Sequence, residues 1–314
     1  MKILSLYSGG GGIDEGLKQA EIKTDIAIDY NYDACRTLKM NHPDTEVICG
    51  RVGDYVESLP KASIVVGGPP CPEFSRANIG RTFNMCEINN FLKIIDVCKP
   101  KYFLMENVQD SKKKLYKGSY LVNCADYGVP QIRLRRFFTN LSLPSPTHSE
   151  NPQSNLFGKQ LQKWITIGEA LNIKGIIEDR KTTFGEKYLR EDGKFRHYST
   201  DRPSITISTD SRLFLIVDHQ WLIDKNPTIY EKHRPQFLDQ PATTVNTKDR
   251  ASPNDYVTDG VKARKLENEE LAIIQGFPKD YKFFGGKASV RMQIGNAVPP
   301  PVIRAFFSQV TPFV

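Results

Sequence analysis

The sequence lacks the marks of a secreted, membrane-spanning or zinc-binding protein. No apolar run among its 314 residues is long enough to cross a bilayer, and residues 2–7 are too short for the apolar core of a signal peptide. Its six cysteines form no CxxC pair and no group with histidine at the spacing of a zinc site. We therefore expect a cytoplasmic protein with reduced cysteines, no bound metal and no membrane partner.

A strong charge imbalance is also missing. The 43 basic residues exceed the 36 acidic residues by a formal charge of +7, and the excess is spread along the chain. A basic protein favours a polyanionic partner, but an excess of this size is weak evidence. With 39% hydrophobic residues, the chain is able to bury one large core and to carry a smaller domain beside it.

The dinucleotide-binding fingerprint GxGxxG is likewise absent. Residues 7–12 read Tyr-Ser-Gly-Gly-Gly-Gly, and no register of this segment places glycines at the required spacing. Glycines between a strand and a helix nevertheless let backbone N–H groups approach a ligand at the positive end of the helix. The segment is a candidate cofactor loop, and a flexible glycine turn is the alternative.

The first half of the chain alternates short apolar runs with helical patterns. This alternation predicts an α/β fold in which helices cover a mostly parallel sheet. The expected strands lie at residues 2–7, 25–28, 63–66 and 102–105. Apolar side chains recur at helical spacing between them, in Ile13, Leu17 and Ala20 and again in Ile88, Phe91, Leu92 and Ile95. Folds of this kind bind ligands where the strands end.

The pattern changes near residue 141. Prolines and polar residues become frequent there, and residues 202–209 are echoed by residues 240–247, which suggests two β-rich units of one kind. Helical patterns return at residues 269–275 and 300–310. The predicted division is a first domain at 1–140, a smaller β-rich domain at 141–262 and a C-terminal segment at 263–314 that packs back on the first domain.

Polar side chains follow two of the predicted strands. Asp29 ends the second strand and is able to accept hydrogen bonds from ribose hydroxyls, and the adjacent Tyr30 is able to stack on an adenine ring. Glu106 ends the fourth strand, where partial burial would raise its pKa and let it share a proton with a ligand. A solvated carboxylate is the alternative for both acidic residues.

A single thiol stands in a stiff turn after the third strand. Residues 67–75 read Gly-Gly-Pro-Pro-Cys-Pro-Glu-Phe-Ser, and the fixed backbone of the prolines would aim the Cys71 thiol from the carboxyl edge of the sheet. A cysteine outside such a frame is more often a small buried hydrophobic residue. We therefore consider Cys71 a candidate nucleophile.

Residues 127–136 read Tyr-Gly-Val-Pro-Gln-Ile-Arg-Leu-Arg-Arg, and two of their three arginines stand at alternate positions. Arg133 and Arg135 share one face of a strand because side chains alternate along it. They are candidates to hold a substrate oxygen, the Glu106 carboxylate or a DNA phosphate. An ordinary basic strand face is the alternative.

Five motifs, taken together and in this order, resemble those of the DNA cytosine-5 methyltransferase family. They are Tyr-Ser-Gly-x-Gly-Gly, Pro-Pro-Cys, Glu-Asn-Val, Gln-x-Arg-x-Arg and Gly-Asn-Ala-Val-Pro. The resemblance covers residues 2–140 and 241–304. It implies a Rossmann-like methyltransferase fold dependent on S-adenosylmethionine, with catalysis in residues 1–140 and target recognition in residues 141–262.

The resemblance also implies roles for individual residues. Cytosine carbon 5 attacks a methyl sulfonium only after a thiolate has added to carbon 6. Cys71 would be that nucleophile, Glu106 would engage N3 and Arg135 would contact O2, with Arg133 supporting a closed catalytic loop. The implied cofactor residues are Tyr7, Ser8, Gly9, Gly11, Gly12, Ile13, Asp29, Tyr30, Arg51, Val52, Pro69, Asn296, Ala297 and Val298. The product is S-adenosylhomocysteine, and no metal takes part.

Two departures from the family pattern stand out. Arg51 occupies a position where the family usually has Asp, so the acidic contact to the adenine amino group is lost or passes to Asp54. We expect weak cofactor binding for that reason. The segment between Val108 and Tyr127 is also shorter than the family pattern by about one helix.

The expected partner is double-stranded DNA, with a companion restriction endonuclease as a candidate second partner. A monomer suffices because one pocket holds all the proposed catalytic groups. We expect a cytoplasmic, nucleoid-associated protein inside a prokaryotic or phage-infected cell. Two alternatives remain open: a tRNA cytosine-5 methyltransferase of the same family, and a DNA-binding regulator that has lost turnover.

Overall fold

The computed structural model describes nine segments of the chain. They are residues 2–70, 86–108, 119–152, 160–172, 176–179, 197–199, 203–205, 213–216 and 264–310. No helix in these segments is both long and apolar enough to span a membrane. Cys71 lies outside the described residues, as do residues 72–82, which would form the catalytic loop that closes behind the target base.

A seven-stranded sheet forms the centre of the fold. The first eight strands are β1 (Lys2–Leu6), β2 (Ile26–Asp29), β3 (Glu46–Cys49), β4 (Ala62–Gly67), β5 (Tyr102–Val108), β6 (Tyr120–Asn123), β7 (Gln131–Ile132) and β8 (Leu134–Thr139). All except β7 belong to this sheet, in the order β3-β2-β1-β4-β5-β8-β6. Neighbouring strands among β3, β2, β1, β4 and β5 pair in parallel. Strand β8 pairs antiparallel with both β5 and β6 at one side of the sheet. The four predicted strands are confirmed, and β3 is a strand that the sequence patterns did not indicate.

Helices connect the parallel strands and return at the C-terminal end. They are α1 (Gly12–Gln19), α2 (Tyr32–Asn41), α3 (Cys86–Cys98), α4 (Ile167–Leu171), α5 (Asn268–Ile274), α6 (Lys287–Asn296) and α7 (Pro300–Phe307), with 3-10 helices at Val52–Tyr55 and Cys124–Tyr127. The helical patterns at 269–275 and 300–310 are confirmed by α5 and α7. Because a mostly parallel sheet is covered by helices, the predicted Rossmann-like fold class is confirmed.

Short strands dominate the described parts of residues 141–262. They are β9 (His148–Ser149), β10 (Gln162–Lys163), β11 (Ile176–Asp179), β12 (His197–Ser199), β13 (Ser204–Ile205) and β14 (Leu213–Ile216), followed by β15 (Arg264–Lys265). A second sheet has the order β12-β11-β14-β15 and is antiparallel throughout. Of the two echoed segments, only residues 203–205 are described, so the repeat and the domain boundaries stay predictions.

Alternation along the central strands builds a core on each face of the sheet. Ile64 and Val66 of β4 point to the face covered by α1 and α7, whereas Val65 points to the face covered by α3. All three side chains are fully buried. Both faces of a parallel sheet must be covered in this way, and the C-terminal helix α7 therefore completes the core that β1 and α1 begin.

Helices α1 and α7 approach each other closely at a glycine. A Cβ at Gly16 of α1 would lie 2.5 Å from the Ile303 Cβ and 2.6 Å from the Pro300 carbonyl oxygen of α7. Overpacking of a filled core typically costs about 1–3 kcal/mol. Gly16 therefore allows the first and last helices to approach each other.

We predict that Gly16→Ala lowers the free energy of unfolding by about 1–3 kcal/mol, because the added methyl group forces α1 and α7 apart. Urea unfolding followed by circular dichroism measures the change. Gly286→Ala is the control for added bulk, since a Cβ there meets no atom within 4 Å and the change carries only the cost of a weaker N-cap for α6. Equal stability of the two variants would contradict this account of the contact.

Candidate active site

A cavity of about 410 Å³ lies at the carboxyl ends of β1, β2, β4 and β5. This edge is where open α/β sheets bind ligands. Its lining brings together thirteen of the predicted site residues, namely Tyr7, Ser8, Gly9, Ile13, Asp29, Tyr30, Pro69, Glu106, Arg133, Arg135, Asn296, Ala297 and Val298. One cavity thus joins the candidate cofactor loop, the candidate catalytic carboxyl and the C-terminal motif.

The glycine loop turns sharply at the entrance to α1. Tyr7, Gly9 and Gly11 have φ values of 54°, 55° and 85°, the left-handed region that favours glycine. The Tyr7 hydroxyl donates to the Glu87 carboxylate of α3 at 2.9 Å, which ties the loop to that helix. Within the loop, the Gly11 N–H donates to the Ser8 carbonyl oxygen at 3.0 Å and closes the turn.

Asp29 links this loop to the end of β2. One carboxylate oxygen accepts a hydrogen bond from the Gly9 N–H and the other from the Asn31 N–H, each at 2.8 Å. Burial raises the pKa of the Asp29 carboxyl, and these backbone donors offset part of the rise. Tyr30 follows with its side chain 69% exposed, which leaves its ring available to a ligand.

Glu106 and Arg135 form an ion pair on the opposite side of the cavity. The Arg135 Nε lies 3.0 Å from the Glu106 Oε1, and both side chains are largely buried. Burial raises the pKa of Glu106, while the positive charges of Arg135 and then Arg133 lower it. The sequence-based expectation of a partly desolvated carboxyl at this strand end agrees with this geometry.

The Pro-Pro-Cys turn approaches the same carboxyl. Gly68 is adjacent to Glu106, since a Cβ at Gly68 would lie 3.4 Å from the Glu106 Oε2. The Asn107 side-chain amide donates to the Pro69 carbonyl oxygen at 3.5 Å, which ties β5 to the turn. Pro70 also lines the cavity and immediately precedes Cys71 in the chain. The described part of the turn therefore leads to the side of the cavity where Glu106 lies.

Arg133 points into the protein interior between β7 and β8. Its side chain is fully buried, and its Nη2 donates to the carbonyl oxygens of Gly295 at 2.9 Å and Ala297 at 3.3 Å. Burial lowers the pKa of Arg133 to about 9, and the neighbouring positive charge of Arg135 adds to the effect. The contacts with residues 295–297 were not foreseen from the sequence, where support of the catalytic loop was expected.

Four predicted cofactor residues do not line the cavity. Gly11 and Gly12 instead make room for the C-terminal segment, because a Cβ would lie 2.3 Å from the Tyr281 hydroxyl at Gly11 and 2.4 Å from the Val298 carbonyl oxygen at Gly12. Val52 is buried in the core on the α3 side, and Arg51 is exposed at the start of a 3-10 helix.

Sequence reasoning missed several lining residues. They are Asn31, Ala34, Gly68, Pro70, Asn107, Val108, Met292, Gln293 and Gly295. Most are immediate neighbours of motif residues and could have been included on that ground. Met292 and Gln293 lie one helical turn before Asn296 on α6, a helix that the sequence patterns did not indicate. In the described segments, no group of three metal-binding side chains lies together.

The fold is of the Rossmann-like methyltransferase class, and its cavity lies at the edge where open α/β sheets bind ligands. The family of C-5 cytosine-specific DNA methylases matches residues 1–311, and the chain belongs to this family. Its relatives include the type II methyltransferase M.NgoFVII of Neisseria gonorrhoeae, 28% identical over 95% of this chain and 83% of that protein. Another is M1.HphI of Haemophilus parahaemolyticus, 27% identical over 96% of this chain and 84% of that protein.

Solved structures with the same fold include two Dnmt2 proteins. The Spodoptera frugiperda protein has a TM-score of 0.61 at 19% identity, over 96% of this chain and 97% of that one. The S. pombe methyltransferase has a TM-score of 0.59 at 17% identity, over 99% of this chain and 98% of that one. The predicted enzyme class, a DNA cytosine-5 methyltransferase, is confirmed by the family and the relatives, and these structures support the fold.

We predict that Arg135→Gln raises the pKa of Glu106, because it removes the positive charge 3.0 Å from the carboxylate and leaves the effect of burial. Glu106 would then stay protonated to higher pH. Carbon-13 NMR titration of protein labelled at glutamate measures the midpoint, with Glu106→Gln to assign the signal. Arg304→Gln on the exposed side of α7 is the control, and a midpoint in Arg135→Gln that stays or falls would refute the prediction.

Proposed function

We propose that this protein transfers a methyl group from S-adenosylmethionine to carbon 5 of cytosine in double-stranded DNA through a covalent bond between Cys71 and carbon 6 of the base. The observation that carries the proposal is that one cavity is lined by Glu106, Arg135, Pro70 and Asp29. The groups that would steady the base thus line one cavity with Pro70, the residue before Cys71 in the chain, and this supports the proposal.

The donor set of the cavity fits S-adenosylmethionine. Asp29 offers a carboxylate held in place by two backbone N–H groups, which suits ribose hydroxyls, and the exposed Tyr30 ring suits a purine. Ser8 and Gly9 lie at the N-terminal side of α1, and residues 296–298 close the other side. When bound, the cofactor supplies a methyl group on a positively charged sulfur.

The residues around Glu106 suit an activated cytosine. Addition of the Cys71 thiolate to carbon 6 places negative charge on the ring, which a proton shared by Glu106 at N3 would stabilise. Arg135 would donate to O2, since its guanidinium already lies beside Glu106. Carbon 5 would then take the methyl group, which leaves S-adenosylhomocysteine as the product. Loss of the carbon 5 proton to water and departure of the Cys71 thiolate would then restore the aromatic ring and the free enzyme.

DNA readout is assigned to residues 141–262. A base inside a duplex must be rotated into the cavity, at a cost of about a few kcal/mol, and contacts from a second domain offset that cost. The second sheet, β12-β11-β14-β15, takes three of its four strands from residues 141–262, which supports a separate structure for this part of the chain. Residues 263–314 would pack back on the first domain.

The type II names of the relatives support a role in restriction-modification, with a companion endonuclease that cuts the unmethylated site. Glu106, Arg133 and Arg135 line one cavity, so a monomer would suffice for the reaction. Action on chromosomal or phage DNA would place the protein in the cytoplasm, at the nucleoid.

We predict that radiolabel from S-adenosylmethionine is incorporated into mixed-sequence duplex DNA and not into tRNA. The same duplex synthesised with 5-methylcytosine in place of cytosine is the control, because its carbon 5 is already occupied. Label found in tRNA alone would show that the substrate is RNA and not DNA. No label in either, with the cofactor bound, would favour a DNA-binding regulator without turnover.

We predict that Cys71→Ala lowers methyl transfer by at least about a thousandfold, because carbon 5 of cytosine is unreactive without thiolate addition. The initial rate of label incorporation measures the loss, and an unchanged melting temperature shows that the fold survives. Cys86→Ala at the exposed start of α3 is the matched control and should retain full activity. Turnover by Cys71→Ala near the rate of the unaltered enzyme would show that Cys71 is not the nucleophile.

A further inference from the structure

The turn at residues 295–298 is held between two parts of the chain that are far away in sequence. On one side, the Val298 carbonyl oxygen packs against Gly12, where a Cβ would come within 2.4 Å. On the other side, Arg133 and Gln275 donate hydrogen bonds to the Ala297 carbonyl oxygen, at 3.3 Å and 2.6 Å. Ala297 itself lines the cavity, whereas Gln275 does not.

Four groups close a hydrogen-bonded ring behind this turn. The Gln131 side-chain amide donates to the Gln275 Oε1 at 2.7 Å, and the Arg133 Nη1 donates to the Gln131 Oε1 at 3.4 Å. With the two bonds to Ala297, each member touches the next. Gln131 and Gln275 are 0% exposed and Arg133 is 2% exposed, so water does not compete for these bonds.

The ring has only one orientation of its amide groups. A guanidinium only donates, so the Gln131 oxygen must face Arg133 and its nitrogen must face Gln275. The Gln275 oxygen then accepts, and its nitrogen is directed to the Ala297 carbonyl oxygen. A side chain at position 275 must therefore both accept and donate, which glutamine does and an ionised glutamate does not.

The bonds matter because residues 295–297 end helix α6. The last carbonyl groups of a helix have no partner within the helix and need donors from elsewhere. Arg133 supplies donors to Gly295 and Ala297, and its positive charge suits the negative end of the helix. Gln275 supplies the second donor to Ala297, so both lone pairs of that carbonyl oxygen are used.

We propose that Gln275 is a positioning residue for the cofactor pocket. It fixes the carbonyl group of Ala297 and thereby the wall formed by residues 296–298, without touching the cofactor. This inference rests on the proposed binding of S-adenosylmethionine in the cavity. Loss of the Gln275 side-chain amide would lower the affinity for the cofactor and leave the affinity for DNA unchanged. The reason is that the hydrogen-bonded ring lies behind the side of the cavity formed by residues 295–298.

The test compares Gln275→Glu and Gln275→Leu with the unaltered protein by calorimetry with S-adenosylmethionine, below the melting temperature of each. Glutamate retains an acceptor for Gln131 but loses the donor to Ala297, and leucine loses both. We expect the Kd for the cofactor to rise about tenfold in each, the size of effect produced by one lost buried donor. The KM for the cofactor rises in parallel, while kcat and the Kd for DNA stay unchanged.

Gln309→Leu is the matched control. Its amide also donates to a backbone carbonyl oxygen, that of Ser142 at 3.1 Å, but it lies at the protein surface away from the cavity. Cofactor affinity equal to that of the unaltered protein in both Gln275 variants would overturn the proposal. Unfolding of both variants, or equal losses in cofactor and DNA binding, would assign Gln275 a role in stability alone and overturn it as well.

Failure of the proposed function gives a different result. If the unaltered protein does not bind S-adenosylmethionine, the cofactor assignment of the cavity is wrong, and the inference about Gln275 falls with it. If the unaltered protein binds the cofactor and both Gln275 variants bind it with the same Kd, the cofactor assignment stands and the inference about Gln275 alone is wrong.

Discussion

The buried guanidinium of Arg133 is the interaction on which the arrangement of the site depends. It joins β7 and β8 to the end of α6, through carbonyl groups 162 and 164 residues further along the chain. A buried cation is costly unless hydrogen bonds and neighbouring negative charge compensate it. The carbonyl oxygens of Gly295 and Ala297, together with the charge of Glu106, provide that compensation. The C-terminal segment therefore cannot leave the sheet without exposing an unpaired charge in the interior.

Arg133 and Arg135 have different roles in the site. Arg133 faces the interior and holds the wall of the cavity, and Arg135 pairs with Glu106. Both positive charges lower the pKa of Glu106 against the effect of burial. A carboxyl poised between these opposing effects suits a group that shares a proton with a ring nitrogen, as the proposed mechanism requires.

The central fold follows from sequence patterns that act over short distances. Apolar runs gave the positions of β1, β2, β4 and β5, because alternation of side chains and flanking glycines are local signals. The Glu106 environment was also predictable, since a carboxyl at the end of a buried strand is partly desolvated. The motifs at residues 7–12 and 295–299 indicated a shared cofactor site through their family resemblance.

Contacts between distant segments could not be predicted in the same way. Gly11 and Gly12 look like ligand-binding glycines, but their lack of a side chain serves contacts with Tyr281 and Val298. Strand β3 was missed because its four residues, Glu46–Cys49, carry no strict alternation. Nothing in the local pattern of Gln275 indicates that Gln131, 144 residues away, is its partner. Such pairings arise only when the C-terminal segment returns to the sheet.

That return has a consequence for how the protein is made. The glycine loop and Asp29 are translated more than 250 residues before the wall at residues 295–298. On the ribosome, the cavity of a growing chain stays open on one side until α6 has emerged and met Arg133. The binding cavity is thus completed only after the wall that closes it has been synthesised.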